Sequence, residues 1–233
     1  MAIFNKKLTK TVGEIRYRPT LSSTRSAVDF GKILEKKFPH WRVRNGQDVT
    51  LLDDDKKNLI QIRYNGLLFL NEGEETNHEL IKLLETVYKE VIETTGVSEF
   101  LHVGCRRQYV FDASFQIQDL VDLTFRKFYG NLPSLKSISG ERVKDTAFIL
   151  DGIKEELNTH VQIGPSTVGQ VNDFFKGQFT EVDLEESKAY LLVDIDVFKK
   201  EKLTAINSMD LLKKAEEINL NILNSYIEFL SAK

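Results

Sequence analysis

The stretch Asn58–Asn71, with the sequence NLIQIRYNGLLFLN, determines how the rest of the chain can be read. Two short apolar runs flank the pair Asn65-Gly66, and an Asn-Gly pair between such runs is a strong hairpin signal. In the first run Ile60 and Ile62 alternate with polar residues, so the apolar and polar side chains occupy opposite faces of a strand. The stretch therefore predicts an antiparallel hairpin with one apolar face.

A similar pattern returns near the other end of the chain. Tyr190–Phe198 (YLLVDIDVF) reads as a strand, and Asn207 or Ser208 can cap a long amphipathic helix after it. The order strand, helix, several strands, helix thus occurs twice. We therefore predict an α+β fold that arose by tandem duplication, with units at residues 1–97 and 98–233 and with the helices on one face of the sheet.

Local patterns predict three further elements of the chain. Thr76-x-x-Glu79 has the spacing of a capping box, and Gly96 is suited to end the helix that follows. The apolar spacing in residues 143–157 favours a helix, although residues 146–150 also fit a strand. Thr159–Ile163 is predicted to be a strand that Gly164-Pro165 ends.

The bulk composition excludes several classes of protein. The formal net charge is −3, which argues against a general nucleic-acid binder. The longest apolar runs are far shorter than the ~20 residues needed to span a bilayer, and Met1–Lys10 lacks the apolar core of a secretory signal. Cys105 is the single cysteine, which is consistent with a reducing compartment. We therefore expect a cytoplasmic protein without membrane contact.

Charge is unevenly distributed along the chain. The first 50 residues carry eleven Lys and Arg against four Asp and Glu, whereas residues 151–233 carry nine against fifteen. This asymmetry suits internal ion pairing or a localised anion site.

Five arginines are the main candidate site residues. Each alternates with apolar residues along a predicted strand. Because alternate side chains of a strand point the same way, the arginines of one strand lie on one face of the sheet. A guanidinium presents a planar fork of donors suited to phosphate or carboxylate. We expect either a solvated, internally paired face or an open sheet face that binds an anion or a partner, formed by Arg16, Arg18, Arg42, Arg44 and Arg63.

Asp194 and Asp196 occupy the corresponding phase of the strand in the second unit. Two carboxylates at i and i+2 are suited to a divalent-cation site, to which His102 or Glu14 would add a further ligand. A lone Asp-x-Asp is a weak signal, because a metal site needs additional ligands. Pairing with the arginines of the first unit, within the chain or across a dimer, is the preferred interpretation.

Other reactive side chains give weaker signals. His102 and Cys105 are three positions apart on a predicted strand, so they should face opposite sides of the sheet rather than form a nucleophile–base pair. The remaining histidines lack metal-ligand spacing. The segment 164–169 (GPSTVG) lacks the end of a phosphate-binding loop and is better read as a turn. No cofactor is predicted.

Two resemblances add to this reading. The pieces Leu59–Asn71 (LIQIR..G..F..N), Val103–Arg107 (VG.RR) and Leu192–Phe198 (L.DIDVF) resemble a sporadically distributed prokaryotic family of uncharacterised proteins. That family usually has a Trp after the Asn at position 71 and a Tyr-Pro pair downstream, where this chain has Glu72-Gly73-Glu74-Glu75. The resemblance implies the α+β fold and a bacterial-type cytoplasmic setting. In topology alone, the unit also resembles the duplicated TATA-binding-protein fold.

Three functions follow as hypotheses. The first is a non-catalytic interaction protein whose open, charged sheet face engages a protein partner or a second copy of the chain. The second is a nucleic-acid or nucleotide binder that uses the arginine-rich face. The third is a metal-assisted hydrolase based on Asp194 and Asp196.

Overall fold

The computed structural model describes residues 4–73, 77–130, 143–175 and 184–232. Nine strands are described: β1 Phe4–Tyr17, β2 His40–Arg44, β3 Asp48–Leu52, β4 Asn58–Arg63, β5 Gly66–Glu72, β6 Phe100–Ala113, β7 Phe148–Lys154, β8 Leu157–Ser166 and β9 Ala189–Lys199. The described helices are α1 Leu21–Lys32, α2 His78–Thr95, α3 Ile117–Tyr129, α4 Val168–Phe174 and α5 Ser208–Ser231.

All nine strands belong to one antiparallel sheet, in the order β2-β3-β4-β5-β1-β6-β9-β8-β7. The two longest strands, β1 and β6, pair at its centre from Phe4 opposite Ala113 to Tyr17 opposite Phe100. Five strands precede the expected unit boundary at residue 97 and four follow it. The predicted α+β class is confirmed, while descent of the two halves from a duplication stays a prediction.

One face of the sheet carries the main core. On the strands next to the centre, odd-numbered side chains such as Ile15, Val103 and Cys105 are buried. Helices α1, α2, α3 and α5 cover them with apolar side chains that include Leu84, Leu120 and Leu212. The even-numbered side chains of β1 and β6 therefore point to the opposite face, which we call the open face.

The open face is not free of helix. The short helix α4 begins with a capping box formed by Thr167 and Gln170. Its Val171 joins a second apolar cluster with Val110 of β6 and Leu192 of β9. The expectation that all helices lie on one face is therefore wrong for α4, because the open face has its own small apolar patch to cover.

The central hairpin prediction is confirmed, with the turn one residue earlier than the Asn65-Gly66 pair. Strand β5 begins at Gly66, whose register partner is Arg63, so the turn itself is made of the two residues before the glycine. A Cβ on Gly66 would lie 2.7 Å from the Ile15 carbonyl oxygen of β1. Gly66 therefore allows close approach of the neighbouring strand rather than a left-handed turn.

Residues 143–166 correct two further predictions. Phe148–Lys154 is strand β7 rather than part of a helix, and it pairs with β8 through a turn at Glu155-Glu156. Both glutamates have positive φ, 50° and 70°, the geometry usually supplied by Asn-Gly. Strand β8 continues through Gly164-Pro165 to Ser166, because Gly164 and Pro165 still pair with β9. The segment 164–169, predicted to be a turn, therefore contains the end of β8 and the start of α4.

The helix over residues 78–95 is as predicted. Gly96 ends it in the left-handed conformation, with φ of 66°. Asn77 is its N-cap residue, whereas Thr76 of the predicted capping box lies outside the described residues. The final helix is also as predicted, with Asn207 as the N-cap residue.

Candidate functional site on the open sheet face

Four of the five candidate arginines share the open face. Arg16 on β1 and Arg63 on β4 line one depression there. Arg42 and Arg44 on β2 alternate with Trp41 and Val43, which turn towards α1. The two arginines therefore extend onto the open face at the edge of the sheet.

Arg18 is the exception. It follows the last residue of β1, and its Nη1 lies 3.0 Å from the Glu99 carboxylate. It does not line the depression on the open face. Strand alternation therefore predicts the face correctly for four of the arginines. It fails for Arg18, because β1 ends one residue before Arg18.

The depression lies over the central strands and has a volume of about 430 Å³. We call it the face depression. Besides Val12, Leu68, Gly104 and the ring of Phe174, its lining is ionisable or polar: Lys10, Glu14, Arg16, Arg63, His102, Arg106, Gln108 and Asp196. Arg106 is paired with Asp194 beside the depression, which leaves Lys10, Arg16 and Arg63 against Glu14 and Asp196. This excess of one positive charge favours anions.

Glu14 joins two of these cations. One of its oxygens lies 2.6 Å from Arg16 Nη2, and the other accepts from Arg63 Nη1 at 3.3 Å. Gln61 further fixes Arg63, whose Nε and Nη2 donate to Gln61 Oε1 at 2.9 and 2.7 Å. The Arg16 side chain remains 55% exposed, so it can receive an incoming anion while Glu14 holds its position.

Sequence analysis missed Lys10, Arg106 and Gln108. All three lie on the open-face phase of β1 or β6, the same phase as Arg16 and His102. Burial lowers the pKa of the Lys10 ammonium, with opposition from nearby Glu72. Strand phase is the signal that identifies these residues, because each lies an even number of positions from Arg16 or His102 on the same strand.

The predicted partner of Asp194 is wrong. Its two carboxylate oxygens accept from Arg106, with the Nε contact at 2.9 Å, so Asp194 pairs within residues 98–233 rather than with an arginine of the first half. The reason is register, since Arg106 and Asp194 lie on the same face of adjacent strands β6 and β9, with Asp194 two residues from Asp196, the direct partner of Arg106. Asp196, two residues on, lines the depression.

The hypothetical metal site is not assembled around these aspartates. Within the described residues, no group of three or more His, Cys, Asp or Glu side chains is placed to hold a metal ion. Asp194 is instead occupied by the Arg106 guanidinium.

His102 and Cys105 face opposite sides of the sheet, as predicted. His102 lines the depression, and its ring stacks on Phe198 with centroids 5.8 Å apart. Burial lowers the pKa of His102 and raises the pKa of the Cys105 thiol to about 12. Cys105 is fully buried in the core under the helices, so it is not a nucleophile for this site.

A second, fully buried ionic contact lies under the helices. Arg107 follows Arg106 on β6 and therefore points into the core, where its Nη2 donates to Glu216 of α5 at 2.6 Å. The same Glu216 oxygen accepts from the Asn77 backbone N–H at 2.9 Å and from its side-chain amide at 2.8 Å. Glu216 thereby connects the sheet, α5 and the start of α2.

Comparison with known proteins gives little information about this site. No family model matches the chain, and no curated protein sequence matches it. Among solved structures, the chain is similar to the aspartate kinase of Clostridium acetobutylicum, with 9% identity and a TM-score of 0.22 over 93% of this chain. The match covers 34% of the kinase chain, and a similarity this low supports no inference about fold or activity.

In the described part of the chain, no helix has both the length and the apolar character required to cross a bilayer.

Proposed function

We propose that this protein is a non-catalytic binding protein, and that its face depression binds a small ligand carrying a phosphate or carboxylate group. The observation that carries this proposal is the convergence of Lys10, Arg16, Arg63 and Arg106 on one depression of about 430 Å³. That volume falls within the range of about 300–1,000 Å³ common for small-molecule sites.

The arrangement around Glu14 supports anion binding. A guanidinium that must meet an anion binds best when its orientation is already fixed, because less conformational entropy is lost on binding. Glu14 and Gln61 provide this orientation for Arg16 and Arg63 at the distances given above. The guanidinium donors that would meet the ligand's negative charge are thus oriented before the ligand arrives.

A protein partner or a second copy of the chain would occupy the depression by inserting a single acidic side chain. The concave shape favours a small ligand over a broad flat interface. One observation supports a nucleic-acid alternative, namely that Arg42 and Arg44 extend the cationic surface along the open face beyond the depression.

Binding should be measured by isothermal titration calorimetry with inorganic pyrophosphate, a nucleoside monophosphate and a single-stranded oligonucleotide, at low and high salt. We expect Arg16→Ala and Arg63→Ala each to weaken binding about tenfold or more, since a hydrogen bond to a charged group is worth ~1.5–3 kcal/mol. Arg18→Ala is the matched control, because it removes the same charge outside the depression. Equal losses in all three variants would mean that the depression is not the site.

The oligonucleotide distinguishes the two candidates. If Arg42→Ala and Arg44→Ala weaken oligonucleotide binding and leave pyrophosphate binding unchanged, the extended arginine surface binds nucleic acid. If neither variant affects either ligand, binding is confined to the depression.

A further inference from the structure

Asp196 occupies an unusual position on the wall of the face depression. Its direct register partners are Arg106 on β6 and His160 on β8, so a basic side chain lies on each side of it. Asp196 is half-buried, and the open-face phase of β9 turns its carboxylate towards the depression. Either basic neighbour could have neutralised it.

Both neighbours are engaged by other carboxylates. The Arg106 guanidinium donates through Nε and Nη2 to the two oxygens of Asp194. His160 Nδ1 lies 2.7 Å from an oxygen of Asp151 on β7. Among the described residues, Asp196 itself has neither a hydrogen bond nor an ion pair. Arg106, Asp194, His160 and Lys200 act on it only through longer-range electrostatics.

A half-buried acceptor without a donor is unfavourable, because it has lost water contacts without replacing them. Unfavourable features of this kind cluster at functional sites, where a ligand can supply the missing donor. In the face depression it lies on the same open face as Arg16, whose pKa is affected by the charge of Asp196. The site therefore offers an anion-binding side and an acceptor side within one cavity.

We infer that Asp196 accepts a hydrogen bond from an ammonium or N–H group of the ligand, so the ligand carries both an acidic group and a nitrogen donor. This inference rests on the proposed function, since Arg16 and Arg63 receive the acidic end. Two kinds of compound share this chemistry, namely small zwitterions and nucleotides whose base presents N–H groups.

Two matched pairs of probes test the inference by calorimetry. Phosphoethanolamine and ethyl phosphate differ in the ammonium group, and guanosine monophosphate and ribose 5-phosphate differ in the base. For at least one pair, we expect the wild-type protein to prefer the donor-bearing member about tenfold or more. The pair that shows the preference identifies which source of N–H groups the site accepts.

Asp196→Asn keeps the size of the side chain and removes its charge. We expect the preference to fall towards unity in this variant, with the binding of ethyl phosphate and ribose 5-phosphate retained or strengthened. Asp112→Asn is the control, because Asp112 lies on the open face but pairs with Lys188. It should leave the preference unchanged.

The outcomes separate the two proposals. If none of the four phosphates binds, the proposed function fails. If the phosphates bind and the wild-type protein shows no preference within either pair, only the role of Asp196 fails. NMR titration of the Asp196 carboxyl carbon provides a readout that needs no variant: its pKa should fall when the donor-bearing probe binds, and an unchanged pKa would overturn the inference.

Discussion

The buried contact between Arg107 and Glu216 allows a stability prediction with a defined magnitude. Arg107 is 0% exposed, and Glu216 accepts hydrogen bonds from its guanidinium and from two donors of Asn77. Glu216→Ala removes three hydrogen bonds and leaves the guanidinium charge buried without its carboxylate. Removal of one partner from a buried pair costs ~3–5 kcal/mol, a large share of the ~5–15 kcal/mol stability of a typical domain.

Urea denaturation followed by circular dichroism measures this loss as a change in the midpoint at constant slope. Glu217→Ala is the matched control, because Glu217 is the next residue of α5 and is exposed. It should change the free energy of unfolding by less than about 0.5 kcal/mol.

The double variant Arg107→Met/Glu216→Leu tests the reason for the loss. If the cost arises from an uncompensated buried charge, replacing both partners with apolar side chains should recover most of it. The reasoning is refuted if Glu216→Ala costs no more than Glu217→Ala. It is equally refuted if the double variant loses as much free energy of unfolding as the two single variants lose together.

Three further predictions concern the strands. Burial raises the pKa of Asp196, so the folded state holds that proton more tightly than the unfolded state. Stability should therefore rise as pH falls through the raised pKa, and Asp196→Asn should stabilise the protein at neutral pH by about 1 kcal/mol, measured by urea denaturation; a destabilised variant would contradict this. Gly13→Ala should cost ~1–3 kcal/mol in the same assay, because its Cβ would overlap the Phe69 ring. Gly169→Ala, whose Cβ would meet only Thr167 Oγ1 at 4.0 Å, should cost little. Cys105 should react with a thiol reagent only in denaturant, since burial raises its pKa to about 12, and rapid labelling of the native protein would show that this part of the core opens readily.

Much of the fold could be predicted because the strands alternate and the helices are strongly periodic. Ile60 and Ile62 are buried as their spacing indicates, and α2 ends at Gly96 as predicted. Strand β7 could not be recognised in this way. Its turn uses Glu155 and Glu156 at positive φ, where sequence rules expect Asn or Gly, and its apolar residues fit a helical period equally well.

The candidate site was predictable in outline only. Strand phase correctly placed Arg16 and Arg63 on one face. The order and register of strands far apart in sequence determine which side chains meet. They bring Arg16 and Arg63 to Glu14, and Arg106 to Asp194. A single sequence indicates which side chains of a strand share a face much more clearly than it indicates which strands lie beside that strand.

The central pairing of β1 with β6 has a consequence for synthesis on the ribosome. Strand β1 is made before β6, and this second neighbour is complete only when residue 113 has been added. Until then one side of a 14-residue strand has unpaired backbone groups, a template for pairing with other nascent chains. Separate expression of residues 1–97 and 98–233 would make this exposure permanent in both fragments. We therefore expect the two pieces to be soluble together and to aggregate apart.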